Sequence, residues 1–224
     1  MKLIIFSGLP GTGKTTVAEI IGRKLSIPVF AKDWVEATLL RCGLLPESKK
    51  SLSSGYIAYE LLTILTQKQL QLGQSVILDC VTSTNTLRKR WCQLADDYHA
   101  VTYIIECICS DKCVRRARLG QRQRGIPGWH ELDWSEVERV NNYYEPWHEK
   151  RLVLDSANPL EENLELAFAY ISNTIYAKMH FYNTSLKLSL YIKYSHKAWI
   201  YNVGNIIWFS IIRSYSSSNR VLEL

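Results

Sequence analysis

Gly8-Leu9-Pro10-Gly11-Thr12-Gly13-Lys14-Thr15 fills each fixed position of the pattern G-x-x-x-x-G-K-[ST] and follows directly on the apolar run Leu3-Ile4-Ile5-Phe6. A strand that stops at a glycine-rich turn and feeds a helix aims successive backbone N–H groups, and the positive end of the helix dipole, at one point. A polyphosphate fits there. The helix is supplied by the periodicity of Val17, Ile20, Ile21 and Leu25, which share one face. On this reading residues Gly8 to Thr16 (Gly8, Leu9, Pro10, Gly11, Thr12, Gly13, Lys14, Thr15 and Thr16) cradle the phosphates of ATP. Lys14, expected on an exposed loop, brings a mobile charge to the β- and γ-phosphates, and the Thr15 hydroxyl ligates the bridging Mg²⁺. Gly8, Gly11 and Gly13 supply positive φ angles and room for close backbone approach.

Outward from this loop, apolar runs bounded by turns alternate with helical periodicity across the first 177 residues, the pattern of a parallel sheet flanked by helices. Strands are expected over Lys2 to Ser7, Ile27 to Ala31, Ser75 to Asp79, Val101 to Cys109 and Arg151 to Leu154. Helices are expected over Lys14 to Leu25, Asp33 to Arg41, Tyr56 to Leu72, Thr84 to Tyr98, Ser110 to Gln123, Trp134 to Glu149 and Leu160 to Ala177. The fold class is therefore α/β, a three-layer sandwich around a five-stranded parallel sheet. Ligands in such sheets sit at the carboxyl ends of the strands.

Two acids fall at those ends. Val76-Ile77-Leu78-Asp79 is an apolar run closed by a carboxylate, which gives Asp79 either a role in holding Mg²⁺ or that of a turn or helix-capping residue. Asp33 emerges beside the phosphate loop, where a carboxylate can take the proton of an attacking hydroxyl. As an N-cap for the helix Trp34 to Leu40 it would need no such role.

Arg115, Arg116, Arg118, Arg122 and Arg124 place five cations in ten residues, and on one helix Arg115, Arg118 and Arg122 would share a face. Guanidinium groups match the charge spread over a transferring phosphoryl group, while a solvated basic face is the plainer reading. The stretch Gly125-Ile126-Pro127-Gly128-Trp129-His130 that follows suits a lid that closes over the nucleotide. Cys107-x-Cys109-x3-Cys113 lacks paired metal-ligand spacing, so these cysteines read as small buried hydrophobes at a strand end.

The chain has 224 residues with 47% hydrophobic and 21% charged content, enough for one α/β domain with a substantial core. Residues 178–224 carry six Lys or Arg against one acid, so of the net charge of +6 only +1 belongs to residues 1–177. The catalytic part is thus nearly neutral, which weakens a nucleic-acid reading. No basic n-region with an apolar stretch opens the chain, and six dispersed cysteines predict free thiols in a reducing cytosol. Residues 1–177 are expected to form the ATP-binding domain, and 178–224 an acid-poor, basic extension. Its most apolar part, Trp199 to Ile212, is interrupted by Asn202, Gly204 and Asn205 and falls short of the roughly 20 residues that a membrane span needs. A docked extension, an interfacial segment and a non-native read-through all fit that composition, with the last favoured.

Gly8 to Thr16, Ala31-Lys32-Asp33, Val76 to Asp79, Arg118-Leu119-Gly120-Gln121-Arg122, and Tyr144-Glu145-Pro146-Trp147 before Leu152-Val153-Leu154-Asp155 together resemble one group of proteins. Over residues 1 to about 177 the chain is similar to the bacterial AAA-type ATP-binding proteins of the P-loop kinase group. That group also holds the 5′-phosphorylating domain of polynucleotide kinase, gluconate kinase, chloramphenicol phosphotransferase and zeta-toxin-like kinases. The resemblance implies a P-loop kinase fold with a helical lid and γ-phosphoryl transfer from ATP with Mg²⁺. It implies Lys14, Asp33, Arg118 and Arg122 as the catalytic set, with Asp33 as substrate-side acid and the two arginines on the lid. The group is diverse in acceptor, and the Trp129-x4-Trp134 pair departs from simple kinases. The expected activity is transfer to a hydroxyl of a small-molecule or nucleotide-like acceptor. A nucleic-acid 5′-hydroxyl kinase and a regulatory ATPase switch are the alternatives.

Overall fold

The computed structural model describes residues 1–43 and 54–172. Val, Ile, Leu and Phe dominate the five strands, β1 (Lys2–Ser7), β2 (Val29–Ala31), β3 (Val76–Asp79), β4 (Val101–Ile108) and β5 (Leu152–Asp155). All pair in parallel in the order β2-β3-β1-β4-β5. Continuous apolar runs are what a strand covered on both faces requires. Alternate residues of β1 serve the two sides. Ile4 and Phe6 join Val17, Ala18 and Ile21 of α1 (Lys14–Leu25) and Ala167, Tyr170 and Ile171 of α7 (Leu160–Ser172). Leu3 and Ile5 join Leu62 and Leu70 of α3 (Ser54–Gln71) and Trp91 and Ala95 of α4 (Asn85–Asp97). The α/β sandwich expected from the sequence is the observed one.

The remaining helices are α2 (Lys32–Arg41), α5 (Lys112–Gln121) and α6 (Trp134–Asn142). Two start on acid caps: Asp111 accepts from Cys113 N and Val114 N, and Asp133 and Glu136 form a reciprocal capping box. β2 begins two residues later than expected because Pro28 has no N–H to give the ladder, although its carbonyl accepts from Ile77 N. The helix expected over Trp134 to Glu149 stops at Asn142. Pro146 disfavours helical backbone at Glu145, and the segment instead turns in to bond Glu145 N to the Ser83 carbonyl at 2.9 Å.

That turn is clamped by Arg88, which has no exposed surface at all. Its guanidinium donates to the carbonyls of Thr82, Glu145 and Pro146 at 2.8–2.9 Å and stacks 3.8 Å from the Trp147 ring centroid. Among the described residues no helix is long and apolar enough to cross a membrane. The extension expected over 178–224, and the end of the last helix beyond Ser172, lie outside the described residues.

Candidate active site

β1 lies between β3 and β4, so the turn after it opens where the crossovers diverge to either side, the usual crevice of such sheets. Gly8 has φ +133°, and a Cβ there would drive into the Cys107 carbonyl of β4. Only glycine fits. Gly13, at φ 78°, is the N-cap of α1 and leaves the first turn of that helix facing the crevice. Thr12 closes the loop internally by donating to the Leu9 carbonyl at 2.8 Å. Arg115 braces it from outside by donating to the Pro10 carbonyl at 3.1 Å. Lys14 is buried rather than exposed, because β3 and the loop close around it.

Asp79 ends β3 beside the loop, with Phe6 of β1 and Ala31 of β2 as its register partners. It is neither a turn nor a capping residue. Burial pushes its carboxyl up, opposed by the charge of Lys14 and by a hydrogen bond from the Thr15 side chain. Its Oδ1 is buried with no hydrogen-bond partner. A deeply buried carboxylate oxygen left open next to a threonine hydroxyl is the donor set a hard divalent cation takes.

Asp33 sits in the first turn of α2, but the N-cap of that helix is Ala31 and no side chain caps it. The capping reading is therefore corrected. Burial raises the Asp33 carboxyl, yet Lys14, a hydrogen bond and charge from Arg124, and Lys32 outweigh it and hold the group below the ordinary carboxylate range. Asp33 thus stays ionised and shares with Asp79 the field of Lys14.

The five arginines do not act as one face. α5 ends at Gln121, and Arg122 has extended backbone at φ −73°, ψ 129°, which takes it off the face of Arg115 and Arg118. Arg118 donates to the Ser156 carbonyl and hydroxyl at 3.0 and 3.1 Å, in the loop after β5. Arg122 and Arg124 turn the other way and share Glu131 Oε2 at 3.0 and 3.3 Å, while Arg124 also pairs with Asp33. The expected partnership of Arg118 with Arg122 is replaced by one of Arg122 with Arg124. A Cβ on Gly128 would come within 3.3 Å of Arg41 Cβ and 3.6 Å of the Ala37 carbonyl, so the stretch 125–130 packs down on α2. Trp134 lies with its ring centroid 5.2 and 5.7 Å from the guanidinium carbons of Arg115 and Arg116. Of the cysteines read as core, Cys107 and Cys109 are buried but Cys113 is exposed, since it falls on the outer side of α5.

Sequence reasoning counted Arg124 and Arg115 among the cations but gave neither a role, and it passed over Glu131. Arg88 left a trace, since its spacing of three and seven from Trp91 and Ala95 puts it on the inner face of α4.

Residues 3–146 match the family described as AAA domain. The chain belongs to this family. Its phosphate loop, Asp33, Asp79 and the five arginines all fall inside the matched region. A UPF0200 protein of Pyrobaculum aerophilum is 31% identical over 129 residues, 55% of this chain and 68% of that one. Among solved structures, a sugar kinase from Janibacter sp. HTCC2649 superposes with a TM-score of 0.57 at 17% identity, covering 79% of this chain and 98% of its own. A gluconokinase from Sinorhizobium meliloti 1021 does so at 0.56 and 16%, covering 81% and 97%. This AAA domain therefore has the fold of P-loop kinases, a nucleotide-binding fold.

Proposed function

We propose that this chain is an ATP- and Mg²⁺-dependent phosphotransferase that moves the γ-phosphate to a hydroxyl of a small-molecule or nucleotide-like acceptor. The observation that carries the reading is the pairing of two carboxylates of opposite character around Lys14. Asp79 is buried beside Thr15 with one oxygen open, while Asp33 is held ionised toward the lid.

In this reading the amides of Gly8 to Thr16 and the charge of Lys14 hold the phosphates of ATP. Thr15 and Asp79 would hold Mg²⁺, which when bound neutralises charge on the phosphate oxygens. Asp33 accepts a hydrogen bond from the acceptor hydroxyl and takes its proton as the new O–P bond forms. ADP departs with the electron pair of the broken bond. A carboxylate with a depressed pKa is a weak base, so Asp33 acts mainly by orienting the hydroxyl, which a loose transition state asks for. Arg118 belongs to the nucleotide side and Arg122 to the acceptor side. The kinase fold of the neighbours and the near-neutral charge of residues 1–177 both support this assignment over nucleic-acid phosphorylation.

Calorimetry with ATP, followed by a γ-phosphate transfer screen over sugars, antibiotics, nucleosides and oligonucleotides, tests it. Labelled product from a non-polymeric acceptor is expected. ATP hydrolysis with no acceptor labelled in any class would sink it.

A further inference from the structure

Five side-chain atoms among the described residues are buried without a hydrogen-bond partner, and three of them are donors in one cluster. These are Nη2 of Arg122, Nη2 of Arg124 and the indole Nε1 of Trp129. Arg122 and Arg124 meet on Glu131, and the Arg124 guanidinium carbon lies 5.4 Å from the Trp129 ring centroid. The same Arg124 bonds Asp33, the acid assigned to the acceptor hydroxyl. The cluster sits where residue 128 packs on α2, whereas Arg115 and Arg118 sit on the phosphate loop and the loop after β5. The lid segment thus divides into a nucleotide flank and an α2 flank.

An unmet set made of donors alone selects a ligand group that only accepts. Carboxylate and phosphate oxygens are such groups, and two guanidiniums with an indole N–H match them better than they match a hydroxyl or an amide. Glu131 already shows the geometry, since its carboxylate takes three hydrogen bonds from Arg122 Nε, Arg124 Nε and Arg124 N.

Resting on the phosphotransferase reading, we infer that the acceptor is an anion, whose carboxylate or phosphate is held by Arg122, Arg124 and Trp129 while its hydroxyl lies at Asp33. Neutral sugars and nucleosides lack the group that completes this set. Selectivity then comes from donors left unpaired when the anion is missing.

The test compares acceptors that differ only in the anionic group, D-gluconate against D-glucose for carboxylate and 3′-AMP against adenosine for phosphate. Transfer from ATP and calorimetric binding in the presence of a non-hydrolysable ATP analogue are both measured on the full chain. At least one charged member is expected to bind and to be used at least tenfold better in kcat/KM than its neutral partner. Arg124→Gln and Arg122→Gln should bring that ratio toward one, with Arg124→Lys keeping part of it. The pair that responds tells carboxylate from phosphate. Folding of each variant is checked by its melting curve, and Arg122→Gln, which leaves the Asp33 pair untouched, serves if Arg124→Gln does not fold.

Three results overturn the inference: no binding of either anion, equal use of neutral partners, or variants that weaken ATP binding while preserving the ratio. The last would assign the donors to the γ-phosphate. Transfer without charge preference removes the anion site and leaves the kinase reading. Arginine-dependent anion binding without transfer to any acceptor does the reverse.

Discussion

Replacing Gly8 by alanine tests whether the loop geometry is as constrained as it looks. The residue has φ +133°, a backbone state that costs a non-glycine residue about 1–3 kcal/mol. Its added Cβ would also overlap the Cys107 carbonyl, with Thr12 Oγ1 only 3.0 Å away on the other side. Neither neighbour is a flexible tip, because Cys107 lies in a strand paired on both edges and Thr12 is bonded to Leu9. Relief requires β1 and β4 to shift, an overpacking cost of about 1–3 kcal/mol. Together about 3–5 kcal/mol are lost, and at roughly 2–4 °C per kcal/mol for a domain of this size Tm falls by about 10 °C or more. Gly120, with no atom within 4 Å of its would-be Cβ, is the control, and alanine there should gain about 0.5–1 kcal/mol. Thermal and urea unfolding followed by circular dichroism read both variants. A Gly8→Ala protein melting within about 2 °C of wild type, less than 1 kcal/mol on the same scale, would refute the argument.

Lys14→Ala should lower phosphate transfer by about 10²-fold or more with an unchanged dichroism spectrum, and turnover above a tenth of wild type would remove the loop's assigned role. Asp33→Asn should cut transfer while ATP affinity, read by calorimetry, changes little. Because the folded pKa of Asp33 is depressed, its pairing stabilises the protein above the ordinary carboxylate pKa and is lost as pH falls through the folded value. The urea midpoints of wild type and Asp33→Asn should therefore converge on acidification from neutral pH, and a gap that widens would contradict this. Arg88→Ala strips three carbonyls of a charged donor and leaves a void beside Trp147, so a loss of about 3–5 kcal/mol in urea unfolding is expected. Ending the chain at Ala177 should leave ATP affinity and Tm nearly unchanged, since every strand and helix around the phosphate loop precedes it; a drop of several degrees would move the domain boundary.

The strands were legible because each is a continuous apolar run between turn residues, and α1 because Lys14 to Leu25 has both a start signal and one apolar face. Less legible was anything decided by a partner remote in sequence. Helical spacing put Arg122 beside Arg118, but Glu131 lies nine residues on and draws it away. Asp33 looked like a cap because its residue type caps helices. What settles its state is Arg124, 91 residues distant. Pro146 was visible and its effect on α6 was underweighted against the long polar pattern before it.

β1 has neighbours on both edges and a separate apolar cluster on each face, so no side of it opens to water. Its amides can exchange their hydrogens only when the sheet itself comes apart, which makes residues 3–6 reporters of global unfolding. The loop that follows inherits that anchorage. Motions that admit substrates are thereby left to the lid and α2, which carry fewer ties to the sheet.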